Sequence, residues 1–336
     1  MIRLAINGYG RIGRSILRAL YESSHRDELS VVAVNELADA RTVLHLTRYD
    51  STHGRFPQAL DGDAGQMRVG GDAIALLRHP DINELPWAEL GVDMVLECTG
   101  AFSDRATAGQ HLQRGAGKVL FSQPAQSDVD QTVVYGVNQQ ELHSDHRIVS
   151  NASCTTNAIV PVIKALEEAV GIEAGTITTI HSAMNDQPVL DAYHHTDLRK
   201  TRAASQSIIP VDTELARGVE RLLPEMAGRF TAQALRVPTL NVSALDLTIH
   251  TCRDTDEAEI NRILREASQS RFDGVLGYTD ELLASCDFNH DPRSSIVDAS
   301  QTRASGKRLV KVLTWFDNEW GYANRMLDVA RFWGGL

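Results

Sequence analysis

Two patterns of apolar residues alternate along the first 150 or so residues of the chain. Short continuous apolar runs, of the kind that form strands buried on both faces, are separated by stretches in which apolar residues recur every three or four positions, as on one face of a helix. IRLAIN (2–7) is such a run, and RIGRSILRALYES then places Ile12, Ile16, Leu17 and Leu20 at helical spacing. LSVVAVNE (29–36) predicts a second strand and VDMVLECTG (92–100) a third that reaches a turn. DRATAGQHLQRGA (104–116) predicts a helix, and KVLFSQP (118–124), TVVYGVN (132–138) and HRIVSNAS (146–153) continue the alternation. Strands and helices in this order predict a parallel sheet.

Between the first strand and the first helix stand Gly8, Gly10 and Gly13, spaced G-x-G-x-x-G. In a dinucleotide site the first glycine permits the tight turn, the second lets backbone approach the pyrophosphate, and the third lets helix pack on strand. The helix start adds free N–H groups and a positive dipole end. The second strand ends on Glu36, 23 residues past Gly13, close to the ~20 expected of a ribose-binding acid. A carboxylate there accepts from both ribose hydroxyls and repels a 2′-phosphate, which favours NAD over NADP. Thr99, Gly100 and Ser122 fall at strand ends, where ligands of such sheets bind; they read equally well as ordinary turn residues.

The second half opens on NASCTTNAIVPVIKAL (151–166), where Cys154 sits among small polar residues just ahead of Ile159, Val162, Ile163, Leu166 and Val170 at helical spacing. GIEAG (171–175) breaks that helix, and TITTIHSAMND (176–186) predicts a strand. A helix over 155–170 rises ~24 Å, and a strand over 176–181 returns ~20 Å. If the two run antiparallel, His181 comes back to Cys154. A free thiol has a pKa of about 8.5; a helix start and an imidazolium both favour the thiolate. The alternative is a small buried thiol and a satisfied core histidine. Beside a nicotinamide cofactor, a thiolate and an imidazole point to aldehyde oxidation through a hemithioacetal and a thioester.

Composition narrows the picture. The chain of 336 residues exceeds what one core usually serves, and a net charge of −11 argues against a nucleic-acid or anionic-membrane surface. KRLVK (307–311) alternates basic and apolar residues and predicts a strand. No apolar stretch approaches a membrane span, and the N-terminus enters a strand with no signal-peptide pattern. Cys98, Cys154, Cys252 and Cys286 form no C-x-x-C pair, which suits a reducing cytoplasm. His194 and His195 are sequence neighbours without an acid or cysteine cluster, so no metal is expected.

INGYGRIGR, SNASCTTN, RAASQSIIP, RVPTLNVS and WFDNEWGYANRM, in this order across nearly the whole chain, resemble the glyceraldehyde-3-phosphate dehydrogenase family. The resemblance implies an α/β fold: an N-terminal Rossmann NAD-binding domain over 1–153, completed by a C-terminal helix over 318–336, plus an α+β catalytic domain with a mixed sheet over 154–317. It implies a homotetramer acting on a small sugar phosphate, with Cys154 as nucleophile and His181 as its partner. Gly8, Gly10, Arg11, Ile12, Gly13 and Glu36 then line the cofactor, with Thr99 and Ser122 at the strand ends and Asn318 at the nicotinamide amide. Ser153, Thr155, Arg199, Thr213 and Arg236 are the candidate substrate contacts, with Arg236 where the family holds an anion. Arg199, Lys200 and Arg202 otherwise read as a solvated basic face, and Asp186 orients either substrate or loop. Trp315, Trp320 and Trp333 are expected to pack the last helix onto the first domain, and DEAEINRILREASQ (256–269) to be a covering helix.

Two positions depart from the family pattern. Met184 stands where a hydroxyl helps bind the substrate phosphate, and Glu214 follows Thr213 where a glycine helps cradle attacking phosphate. A carboxylate beside that turn disfavours a second anion, leaving water to cleave the thioester. With HSAMNDQ and VDTEL, the pattern resembles the branch that oxidises erythrose 4-phosphate to 4-phosphoerythronate with NAD, feeding pyridoxal phosphate biosynthesis. The alternatives are the phosphorylating glyceraldehyde 3-phosphate reaction and, from another class, an NAD-binding regulatory protein without turnover. The latter has no use for a reactive Cys154.

Overall fold

The computed structural model describes residues 1–194 and 196–336, and every count below is of these residues; the sequence reading of His195 falls outside them. The chain divides into two compact units, one of Met1–Ser153 with Ala323–Leu336 and one of Cys154–Tyr322.

The first unit is built on β1 (Ile2–Asn7), α1 (Arg11–Glu22), β2 (Leu29–Asn35) and α2 (Ala40–Arg48). A short β3 (Tyr49–Asp50) and β4 (Gly54–Arg55) pair follows, then β5 (Leu60–Gly62), β6 (Gln66–Val69) and β7 (Asp72–Leu77). β8 (Met94–Glu97), α3 (Arg105–Gln113), β9 (Lys118–Phe121), β10 (Gln131–Thr132) and β11 (Ile148–Ser150) complete it. Nine strands lie in the order β10-β11-β9-β8-β1-β2-β7-β6-β5. From β10 to β7 all neighbours are parallel, while β6 and β5 add an antiparallel edge. The strands β1 and β8 are buried on both faces, as their unbroken apolar runs require. The run 132–138 keeps only Thr132 in a strand. Asn138 turns the chain by accepting from the Val134 N–H at 2.9 Å and donating to the Thr132 carbonyl at 3.0 Å, so Val133, Val134 and Val137 are buried in a loop instead.

The second unit opens with α4 (Cys154–Val170), which stops at Gly171 in the left-handed region (φ +68°). The strand β12 (Ile172–His181) starts at once, four residues before its predicted beginning at 176. β13 (Ile209–Val211), α5 (Leu215–Leu222), β14 (Phe230–Arg236), β15 (Ser243–Thr251), α6 (Glu257–Ser268), β16 (Leu276–Thr279), β17 (Ser295–Ser305) and β18 (Leu309–Phe316) follow. The sheet is mixed, ordered β13-β14-β12-β15-β18-β17-β16, with β12 parallel to β14 and antiparallel to β15. α6 covers it with Ile260, Ile263 and Leu264 buried. The last helix, α7 (Trp320–Gly334), runs from this unit into the first.

The tryptophans do not act together as expected. Trp333 is buried in the first unit and donates to the His143 carbonyl. Trp315 stacks on Phe288 and donates to Asp298 inside the second unit, because an alternating strand sends it to that unit's own core. Trp320 lies against His290 in the same unit.

Candidate active site

In the first unit a cavity of about 440 Å³ lies at the carboxyl ends of β1, β2 and β8, lined among others by Gly8, Gly10, Glu36 and Thr99. Gly8 has φ +87°, and a Cβ on it would stand 2.6 Å from the Thr99 nitrogen. Gly13 packs as closely, with the Gly8 carbonyl 2.4 Å from where its Cβ would be. A Cβ on Gly10 would meet nothing within 4 Å, and Gly10, the N-cap of α1, carries no side chain to cap the helix. Open space before an uncapped helix start is what a pyrophosphate needs. Glu36 stands just past β2, its carboxylate accepting from the Tyr9 and Ala38 N–H groups at 3.1 and 3.2 Å. These residues fit NAD.

Other candidates are placed less directly. Ile12 lies half-buried on α1. The Arg11 guanidinium is paired with Asp50, at 2.5 and 3.3 Å, and burial of Asp50 is outweighed by this pair and by backbone N–H groups, which bring its pKa to about 2. Ser122 follows β9 and hydrogen-bonds the half-buried Cys98 thiol.

In the second unit Cys154 is the first residue of α4 and His181 the last of β12, and Sγ lies 3.8 Å from Nε2. The other ring nitrogen, Nδ1, donates to the Ser182 carbonyl at 2.8 Å. A carbonyl only accepts, so the neutral ring carries its proton on Nδ1 and turns the lone pair of Nε2 to the sulfur. The resting ionisation differs from the expected thiolate. Burial pushes the Cys154 thiol up to about 12, and the charge of Glu319 adds to it, against the helix-start N–H groups of Thr155 and Cys154. Cys154 keeps partial exposure, so water screens part of this penalty; its direction governs the chemistry. Burial, joined by the charge of Arg236, pushes His181 down. The resting pair is therefore a thiol and a neutral imidazole, one proton transfer from the reactive form. Ser153 and Thr155 flank the sulfur in sequence, both half-buried.

Asn318 belongs to a network that sequence reading missed. Ser243 Oγ accepts from the Ser182 N–H at 3.0 Å and donates to Asn318 Oδ1 at 2.9 Å, while Ser182 Oγ donates to the same oxygen at 3.0 Å. Both serines are buried. Asn318 is thereby fixed with its carbonyl inward and its NH₂ as the outward donor. Val242, just before Ser243, sits at φ +64°, a strained conformation for a β-branched residue. RVPTLNVS contains Ser243, but only the pairing of β12 with β15 brings it to Ser182.

Strand register places Arg236 directly beside His181. The Arg236 guanidinium is almost buried and pairs with Asp186 Oδ1, and Lys200 Nζ lies 3.1 Å from Asp186 Oδ2. Two cations thus converge on one carboxylate, in the manner of an anion site. Of the basic residues read as a solvated face, Lys200 is half-buried against Asp186, whereas Arg202 stays exposed while pairing with Asp191. Arg199 is exposed. Thr213 Oγ1 accepts from the Leu215 N–H at 3.2 Å and so starts α5. Glu214 is the N-cap of that helix, exposed and paired with Arg217 at 2.8 Å. Its repulsion of an anion is weaker than sequence implied, since partner and solvent both screen it. Met184 is exposed. Among the described residues no group of three or more His, Cys, Asp or Glu side chains could hold a metal ion.

Two family models match the chain. Glyceraldehyde 3-phosphate dehydrogenase, NAD binding domain, matches residues 2–105, and Glyceraldehyde 3-phosphate dehydrogenase, C-terminal domain, matches residues 153–318.

Proposed function

The chain belongs to the glyceraldehyde-3-phosphate dehydrogenase family, and from that premise we propose that it is an erythrose-4-phosphate dehydrogenase, forming 4-phosphoerythronate for pyridoxal phosphate biosynthesis. The 3.8 Å approach of Cys154 Sγ to His181 Nε2 carries the chemistry. His181 Nε2 takes the thiol proton as Sγ bonds to the aldehyde carbon, giving a hemithioacetal. The ring, held by Ser182, returns the proton to the new alkoxide and takes it again as the carbon–hydrogen bond breaks. NAD, when bound, accepts that hydride. A thioester on Cys154 remains, and water attacks it to release the acid and the thiol. Arg236 and Lys200 hold the phosphate of the sugar, and Asn318 presents its NH₂ to the carboxamide oxygen of the cofactor.

Met184 and Glu214 support the longer sugar and the attack by water. Glu214 occupies the N-cap of α5, the helix start at which a second phosphate would sit. The exposed Glu214–Arg217 pair favours the runner-up, the phosphorylating glyceraldehyde 3-phosphate reaction, because a screened carboxylate repels an anion little. The deciding experiment is NADH formation from each phosphosugar with and without inorganic phosphate. Turnover of erythrose 4-phosphate independent of phosphate is expected. Fast turnover of glyceraldehyde 3-phosphate only with phosphate would move the assignment to the runner-up. Residues Val189, Leu190, Tyr193, Leu198 and Ile208 are exposed apolar side chains in one segment, which supports a homotetramer; light scattering of the purified chain tests it. Among the described residues no helix is long and apolar enough to cross a membrane.

A further inference from the structure

Glu97 is the least exposed acid on β8, at 1%, and the proposed chemistry makes no use of it. It ends a ladder of side chains across three neighbouring parallel strands, where Asn35 is in register with Asn7 and Asn7 with Glu97. The bonds between the ladder's side chains run toward Glu97, while Asn35 Nδ2 also donates to the His79 carbonyl at 3.0 Å. The His79 N–H donates to Asn35 Oδ1 at 2.9 Å, Asn35 Nδ2 to Asn7 Oδ1 at 2.8 Å, and Asn7 Nδ2 to Glu97 Oε2 at 2.7 Å. The opposite side is equally committed. Trp87 Nε1 is only a donor and gives its proton to His111 Nδ1 at 2.9 Å, so the neutral His111 ring carries its proton on Nε2, which faces Glu97 Oε2 at 3.2 Å. The remaining oxygen, Oε1, accepts from the Thr99 N–H at 2.9 Å and from the Thr99 hydroxyl.

We infer that Glu97 is a positioning residue for the dinucleotide. Asn7, Asn35, His79 and Thr99 line the cofactor cavity; Asn7 and Thr99 bond this carboxylate directly, Asn35 through Asn7, and His79 through Asn35 and Asn7. Thr99 in turn presses its backbone on Gly8, the first glycine of the phosphate-binding turn. The carboxylate is the one group in this network that takes donors on both oxygens and offers none. It orients the Asn7 amide and through it that of Asn35, and a satisfied buried network holds its members rigidly. A glutamine of the same shape must turn an NH₂ toward one of these donors and leave a buried group unmatched.

Calorimetric titration of the full chain with NAD tests this without any sugar phosphate, so it stands apart from the choice of substrate. Glu97→Gln is expected to weaken NAD binding about tenfold or more, with the kinetic loss falling on KM for NAD more than on kcat. Adding Asn7→Asp, which reverses the bond between the two side chains, is expected to recover part of the affinity. His111 does not line the cavity: His111→Leu removes a donor to Glu97 and is expected to weaken NAD severalfold, whereas His111→Gln, which keeps a donor, stays near the natural affinity. Unchanged NAD affinity in Glu97→Gln would overturn the inference, as would equal weakening by leucine and glutamine at 111. If Glu97→Gln does not fold, the two position-111 variants decide alone.

Discussion

The sulfur of Cys154 and Nε2 of His181, 27 residues apart in sequence, lie 3.8 Å from each other because α4 begins where β12 ends. In the proposed mechanism nucleophile and base are each supplied by an element terminus, and neither has a substitute in the site. Cys154→Ala is therefore expected to lower turnover at least about 10³-fold while NAD binding to the other unit persists. His181→Gln, which loses the base but keeps a polar group of similar size, is expected to lose about 10²- to 10⁴-fold. Steady-state NADH formation beside an NAD titration separates the two effects, and a Cys154→Ala protein that still turns over would exclude the thioester route.

The ionisation of this pair predicts an unusual pH profile. His181 is pushed below its ordinary value of about 6.5, so the folded protein binds fewer protons there than the unfolded chain does. Folding stability tied to neutral His181 is complete above the unfolded value and is lost as pH falls through the lowered one. The acid limb of kcat/KM for the sugar, which needs the free base, should accordingly lie below about pH 6.5. With the thiol pushed up to about 12, alkylation of Cys154 without substrate should keep rising past about pH 10. A labelling plateau near neutrality would reveal a resting thiolate–imidazolium pair instead.

Asp186 pairs with both Arg236 and Lys200, the two cations proposed to hold the substrate phosphate. Burial alone would raise its pKa, but both cations pull it below the ordinary aspartate value, so the clamp stays closed to more acid pH than an ordinary aspartate would allow. Asp186→Asn is expected to free both cations and to lower KM for the phosphosugar by about threefold or more, a modest change because Asp186 is partly exposed. Arg236→Leu should raise KM at least about tenfold. Removing the Asp186 charge should also move the acid limb of His181 lower still, since that charge favours the imidazolium. An asparagine variant with a higher KM would mean that Asp186 itself binds the sugar.

How much of this was legible in sequence follows from the range of each interaction. β1, α1 and β2 could be read because their patterns are local: a continuous apolar run, a period near 3.6 and three glycines. The meeting of Cys154 and His181 could be read because only one helix and one strand separate them. The place of Ser243 could not, and that of Arg236 came only with the family resemblance, since both depend on the pairing of β12 with β15 and β14 across more than fifty residues. Sequence carries the identity of such residues but not the register that joins them. The thiol's ionisation is hidden for a related reason: the helix start is visible in sequence, whereas burial is a property of the packed unit. The screening of Glu214 by Arg217 likewise depends on the start of α5, which places the two one helical turn apart.

Gly8 and Gly10, two residues apart, are expected to respond oppositely to the same substitution. At Gly8 a methyl group would collide with the Thr99 backbone at 2.6 Å, and φ is +87°. Neither obstacle can yield, because both are main chain held by β1 and β8. Gly8→Ala should destabilise the first unit by roughly 1–3 kcal/mol. At Gly10 the added methyl meets nothing and φ is −71°, so alanine fits the free protein and leaves its melting temperature nearly unchanged. The methyl then stands in the space before α1 where backbone must approach the pyrophosphate, and NAD affinity should fall about tenfold or more. Thermal melts with and without NAD separate the cases. Gly8→Ala should lower the melt of the free protein, whereas Gly10→Ala should lose only the rise that NAD confers. A Gly10→Ala protein that NAD still stabilises fully would place the phosphates elsewhere than at the start of α1.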